Sequence, residues 1–338
     1  MWKKLVFVAL IFVVSCSRNS LINITSQPSG ATISINGKEV GKTPYKGEVI
    51  RGEYKIVISK LGYRSLAMDI SLKSRSEKTD VQLERLDISD MIEIPAGKFL
   101  MGSSDEEIVK VVRELGGGEL GPDVGWFAAE RPQHEVYLDE YYIDKYEVTN
   151  EQYKAFIQST GRAMPRHWEN GTYPQGRSNH PVVYVSWEDA AAYCQWVGKR
   201  LLTEAEWEKA SRGTDARIWP WGNSFDRTKC NVECWEGSDS KPIGSYPQGV
   251  SPYGVYDMAG NVWEWTDSWY DAYPGSKYKT PEFGKKLRVL RGGSWYHYDS
   301  LGPIGARCAS RDRANPQSVS YVAGFRCGIG AKEISEKN

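Results

Sequence analysis

The chain predicts a small antiparallel β-sandwich followed by a larger α+β domain with much irregular structure. Three observations carry this. Residues 22–85 alternate apolar and polar side chains with period two, which buries one face of each strand. Beyond residue 90, three capped helices sit among short strands and loops, and no repeating strand–helix rhythm supports a Rossmann or barrel fold. The 13 Trp, 20 Tyr and 8 Phe accompany 33 Gly, and every tryptophan except Trp2 lies beyond residue 125. That combination indicates aromatic packing between glycine-turned loops. A length of 338 residues suggests two or three domains.

The first residues are Met-Trp-Lys-Lys followed by an apolar run from Leu5 to Val14. This is a basic n-region with an h-region too short to span a hydrocarbon core of about 30 Å. It ends in Val13-Val-Ser-Cys16, which resembles the lipobox of bacterial lipoproteins. The resemblance implies a signal peptide over 1–15, lipidation of Cys16 and a tether over 16–21. Two or three acyl chains hold a protein stably where one does not. Ser17, where an inner-membrane retention aspartate would stand, points to outer-membrane delivery in a two-membrane cell. The 43 basic and 43 acidic side chains cancel, so no global field draws the chain to nucleic acid.

In the β module, 22–85, the alternating runs are Ile22–Ile24, Ala31–Ile35, Tyr54–Ile58, Leu66–Leu72 and Val81–Leu83, five strands in all. Asn36-Gly37 suits a primed hairpin turn. No acid, base or nucleophile cluster is present, so the module reads as a spacer or docking unit. Residues 86–90 are a short linker. The large domain, 91–330, carries the helix signals: Thr149 with Gln152, Ser186 with Asp189, and Thr203 with Glu206, each a start signal before an apolar face. Gly213 is a stop for the third. Residues 104–129, acid-rich and containing Gly116-Gly-Gly118, read as a surface insertion, and 331–338 as a polar tail.

Pro28-Ser-Gly-Ala31, Ile35-Asn-Gly-Lys38, Gly41-Lys-Thr-Pro44, Gly52-Glu-Tyr-Lys-Ile56 and Lys60-Leu-Gly-Tyr63 resemble the PEGA family. The larger domain resembles the sulfatase-modifying-factor, or formylglycine-generating, family. Its ordered motifs include Tyr146-Glu-Val-Thr-Asn150, Val185-Ser-Trp187, Thr203-Glu-Ala-Glu-Trp207, Gly260-Asn-Val-Trp-Glu-Trp265, Arg291-Gly-Gly-Ser-Trp295 and Gly324-Phe-Arg326. The second resemblance implies a variant of the C-type-lectin-like fold. It also implies oxidation of a substrate cysteine by oxygen and copper at two cysteines after the Gly-Gly-Ser motif. Here the first position falls on His297 and the second near Gly302, and neither is a thiol. Copper is therefore not expected. His297 and Ser294 remain the catalytic candidates, although one imidazole does not make a metal site.

The family resemblance further implies structural Ca²⁺ held by Asp257, Gly260, Val262 and Glu264, hard oxygen donors on one tight loop. Asn231, Val232, Asp239 and Lys241 match a second site less completely. It implies a disulfide between Cys194 and Cys327. The family's other bridge would join Cys308 to the position of Ser211, so Cys308 is left single. Cys230 and Cys234 are near enough in sequence to pair locally if their Cα atoms come within about 4.4–6.8 Å.

The expected function is a non-catalytic envelope lipoprotein. An aromatic surface of Trp295, Tyr296, Tyr298, Trp269 and Tyr270 would be offered to protein, peptide or glycan, since such rings give rigid contact area. The alternative is a divergent metal-dependent oxidoreductase of the same family, using His297 on an exported protein or small molecule.

Overall fold

The alternating segment folds into β1 (Asn19–Gln27), β2 (Thr32–Ile35), β3 (Lys38–Lys42), β4 (Tyr45–Ile50), β5 (Gly52–Ser59), β6 (Leu66–Leu72) and β7 (Ser76–Gln82). The computed structural model describes residues 19–115, 125–232, 238–296 and 301–335. Two sheets result, ordered β4-β1-β7 and β3-β2-β5-β6. Ile22, Ile24, Ile33, Ile35, Ile56 and Ile58 form the core between them. Asn36 and Gly37 turn β2 into β3 at φ 50° and 78°, as a primed hairpin requires. Two features depart from expectation. There are seven strands rather than five: the two additional ones, β3 and β4, lie at sheet edges and read Lys-Glu-Val-Gly-Lys and Tyr-Lys-Gly-Glu-Val-Ile, with too few apolar residues to stand out as alternating runs. And β7 pairs with β1 in parallel, so the module is not wholly antiparallel.

The larger domain opens with β8 (Met91–Ile94), β9 (Gly97–Met101), α1 (Asp105–Glu114), α2 (Gly125–Ala128), β10 (His134–Leu138) and β11 (Tyr141–Asp144). Next come α3 (Asn150–Thr160), α4 (Trp187–Trp196), β12 (Arg200–Leu201) and α5 (Glu204–Arg212). The chain then closes with β13 (Trp263–Trp269), β14 (Arg288–Arg291), α6 (Leu301–Gly305), β15 (Asp312–Ala314), β16 (Ala323–Gly324), β17 (Cys327–Gly330) and α7 (Ala331–Ser335). Two four-stranded sheets, β12-β17-β11-β8 and β15-β14-β13-β16, hold it together with the pair β10-β9. Helices α3, α4 and α5 each begin with a reciprocal capping box, at Thr149, Ser186 and Thr203. Each box satisfies otherwise orphaned backbone donors. No helix among the described residues is long and apolar enough to cross a membrane.

The segment 104–129 is not simply a surface insertion. Ile108 and Val111 of α1 are buried with Phe127, Ile218, Trp219 and Ile304. The acid-rich face of α1 concealed this apolar stripe. The residues after Gly330 also start as a helix, α7, rather than a loose tail.

Long loops leave many backbone carbonyls outside regular ladders, and buried carbonyls need donors. Arginines supply them. Arg212, Arg291, Arg307 and Arg326 are 0–1% exposed. Arg212 donates to the Gly102 carbonyl at 2.6 Å and Arg326 to the Tyr256 carbonyl at 2.9 Å. Their charges are met by Glu208, Glu130 and Glu264. Removing one member of such a buried pair costs about 3–5 kcal/mol, because the other charge is stranded.

The β module is docked on this domain rather than loosely tethered. Val57 and Ser59, on the outer face of β5, are 5% and 6% exposed. The Gly62 amide donates to the Gly198 carbonyl at 2.8 Å. A Cβ on Gly198 would lie 2.1 Å from the Tyr63 carbonyl oxygen, so only glycine permits that approach. From α7, the Ile334 carbonyl accepts from Arg85 at 3.3 Å.

Candidate functional site

Two loops build the site. In the first, Asp257 and Asn261 take left-handed conformations, φ 57° and 64°, which acid and amide side chains tolerate better than most. Between them, Gly260 packs where a Cβ would lie 2.3 Å from the Asn231 carbonyl oxygen. The second loop, 291–296, rests on the first. The Gly260 amide donates to the Gly292 carbonyl at 2.7 Å and the Trp295 amide to the Asn261 carbonyl at 2.9 Å. A Cβ on Gly292 would meet the Trp207 ring at 3.1 Å.

Trp295 and Tyr296 are thereby delivered to a ring cluster with Tyr321. The three centroids lie 5.3–5.9 Å apart, so the rings are in mutual contact and form one contiguous patch. Tyr321 is 39% exposed and gives the patch its open face. Tyr184 joins at 6.4 Å from Tyr321, His167 at 4.7 Å from Tyr184, and the Arg166 guanidinium lies 4.7 Å from the Tyr184 centroid. Tyr184 is held at φ 59°, a costly conformation for a bulky side chain. His167 Nδ1 and Trp295 Nε1 are shielded from solvent and have no hydrogen-bond partner among the described residues. Burial, reinforced by Arg166, lowers the His167 pKa and favours its neutral ring. The left-handed Tyr184 and the two unpaired nitrogens thus lie within one cluster of rings.

Ser294 is fully buried, and its hydroxyl donates to the Tyr296 carbonyl at 3.2 Å; it shapes the loop. A Cβ on Gly302 would sit 2.5 Å from the Val232 carbonyl oxygen, so that backbone has no space for a second thiol. His297 and Tyr298 lie outside the described residues, as do Cys16 and Cys234. Tyr270 does not belong to the aromatic surface. It is 2% exposed and packs beneath Arg311, 4.8 Å from its ring centroid. Trp269 lies on Arg288, 3.7 Å away. Both follow the bulged strand β13 away from Trp295.

Beneath the aromatic patch the expected calcium residues come together with a partner that motif reading overlooked. Glu147, 1% exposed, accepts from Asn261 Nδ2 at 2.6 Å and from the Val262 amide at 3.3 Å. Its pKa is raised by burial and then by Asp257 and Glu264. Burial likewise pushes Asp257 up to about 6. Glu264 is bound at both oxygens by Arg326, each at 2.7 Å, and one oxygen also accepts from Trp207 Nε1 at 2.9 Å. Three buried carboxylates thus face one guanidinium, an acid surplus that fits a hard divalent cation. The orientation of Glu264 toward Arg326 fits it less well. No three His, Cys, Asp or Glu side chains among the described residues converge to hold a metal unaided, so backbone carbonyls would have to complete the set. At the second site, Asn231 Nδ2 donates to the Asp239 carbonyl at 3.1 Å, and the Lys241 amide to Asn261 Oδ1 at 2.9 Å. The Asp239 carboxylate turns away to Arg177.

The Cys194 and Cys327 sulfurs are side by side at 2.6 Å, both fully buried and unjoined. Cys308 meets the Ser211 hydroxyl at 3.1 Å. Cys230 is buried.

Residues 76–331 match the model of the sulfatase-modifying factor enzyme 1-like domain, and 19–87 match the PEGA domain. The formylglycine-generating enzyme of Mus musculus is 33% identical over 301 residues, covering 72% of this chain and 75% of that protein. A serine/threonine-protein kinase pkn1 of Chlamydia caviae is 36% identical over 287 residues, covering 78% of this chain; the chain spans only 41% of that relative's length. The solved structure of PvdO from Pseudomonas aeruginosa is similar at TM-score 0.55 and 29% identity, covering 72% of this chain and 97% of that one.

Proposed function

Because the chain belongs to the sulfatase-modifying-factor family and joins that domain to a PEGA domain, we propose that it is a non-catalytic, lectin-like scaffold that binds protein, peptide or glycan at the cell envelope. The observation that carries the reading is the state of the loop after Gly292-Gly293. A thiol is missing at His297 by sequence, Gly302 has no room for one, and Trp295, Tyr296 and Tyr321 make a contiguous aromatic patch. Such a patch suits contact more than enclosure of a reacting group. Peptide and glycan arrays probed with the purified protein test it. Retention should fall at least about tenfold in Trp295→Ala and Tyr321→Ala, the size of a modest hot spot. Undiminished retention in both, or none in the parent, sinks the proposal.

Three structural elements accompany this reading. The Val13–Cys16 ending supports a lipid anchor, and Ser17 after it outer-membrane delivery; acyl labelling that survives Cys16→Ala would refute the anchor. Asp257, Glu264 and the carbonyls of Gly260 and Val262 would hold structural Ca²⁺, which would offset the acid surplus there. Cys194 and Cys327 would form a disulfide closing a 133-residue separation, for which loop entropy allows about 2–5 kcal/mol.

A further inference from the structure

The contact between the β module and the larger domain is incomplete, and what it leaves open is a groove. Two adjoining cavities of about 310 and 390 Å³ share Ser59, Trp187, Ala191 and Gln195. This is the size range and the inter-domain setting of small-ligand sites. One wall is a single face of α4, on which Glu188, Ala191, Ala192 and Gln195 recur at helical spacing. The two alanines keep that wall recessed. The opposite wall is the outer face of the β2–β5 pair, where Ser34, Val57 and Ser59 are similarly small.

Trp187 spans the two cavities and is rigidly held. Its indole N–H donates to the Thr266 carbonyl at 2.9 Å, and the Arg288 guanidinium lies 3.8 Å from its ring centroid. Cationic side chains at the groove are largely committed. Lys199 is paired with Asp144, Arg200 with Glu206 and Glu333, and Lys60 donates to the Ser29 carbonyl. Lys42 and Arg162 are offset by Glu39 and Glu188, so no net field favours an anion. Nor does the groove suit strand addition, because the sheet turns its face toward it, not an edge with free backbone groups. What remains is a fixed aromatic platform bordered by hydroxyls, an amide and carboxylates. Those groups pair with hydroxyl ligands in both donor and acceptor roles.

We propose that this inter-domain groove binds a neutral oligosaccharide, stacked on Trp187 and hydrogen-bonded by Gln195, Ser59 and the flanking carboxylates. The site is separate from the aromatic patch and stands or falls independently of it. The full chain, purified in detergent, is titrated by calorimetry with maltotetraose, cellotetraose and chitotetraose. At least one should bind with Kd below about 1 mM, a moderate affinity. Ala192→Phe, which fills the groove, should weaken binding tenfold or more. Gln195→Ala, an exposed change that leaves the fold intact, should weaken it several-fold at unchanged Tm. Trp295→Ala should have no effect. The proposal is overturned if none of the three sugars binds, or if binding survives both groove variants. Loss of binding in Trp295→Ala alone overturns it too. So does binding of a capped Ala/Ser hexapeptide, but of no sugar, that is lost in Ala192→Phe.

Discussion

Cys308 and Ser211 face each other as half of a bridge. The sulfur lies 3.1 Å from the serine hydroxyl, and both side chains are fully buried. Burial pushes the Cys308 thiol up to about 12. At pH 8 the thiol is then held protonated, and the thiolate is the reactive form. Alkylation of the native protein at pH 8 followed by peptide mapping should leave Cys308 unmodified and show Cys194 joined to Cys327. After unfolding, Cys308 should label fully. Native labelling of Cys308, or of Cys194, would contradict this. The juxtaposition was legible because it follows from aligned motifs around each residue. The buried arginines were not. Arg307 and Glu130 are 177 positions apart, so no local pattern pairs them, and arginine taken alone reads as surface. Glu147 was hidden in the same way, inside a motif that otherwise marks the start of α3.

At the scale of elements, local chemistry was readable and docking was not. A capping box is written within four residues, so the starts of α3, α4 and α5 could be placed from Thr149, Ser186 and Thr203. The outer face of β2 and β5, by contrast, carries Thr32, Ser34 and Ser59, and hydroxyl residues on alternate positions suggest solvent. Thr32 and Ser59 are instead buried, with β5 packed against α3 and α4 through small side chains that leave the groove described above. Gly198 is the position that fixes the docking. It combines φ 78° with a backbone approach that a Cβ would obstruct. Gly198→Ala should release the β module while leaving the larger domain folded. Hydrogen exchange should then rise at β5 and around Tyr63, and stay unchanged in β13 and β14. Equal protection in both proteins would show that other contacts hold the module.

For the whole molecule, ordered motifs over most of the chain disclosed the two-domain organisation, the α+β character and the missing thiols. They could not disclose how the two loops pack on each other or how the β module docks, since those contacts join distant segments. If calcium sits under the aromatic loop, it stabilises the native state by mass action. Chelation should then lower the Tm of the wild type and leave Asp257→Asn indifferent, a substitution that keeps the left-handed backbone. A wild-type Tm insensitive to chelator would mean that Arg326 alone balances the acids. The central claim is that a family enzyme's scaffold here serves for binding and does not oxidise cysteine. Its most direct test is mass spectrometry of a sulfatase-type cysteine peptide incubated with this protein, copper and oxygen, beside the mouse formylglycine-generating enzyme as control. The account predicts an unchanged peptide mass where the control converts it; catalytic conversion of the cysteine to an aldehyde by this protein would contradict it.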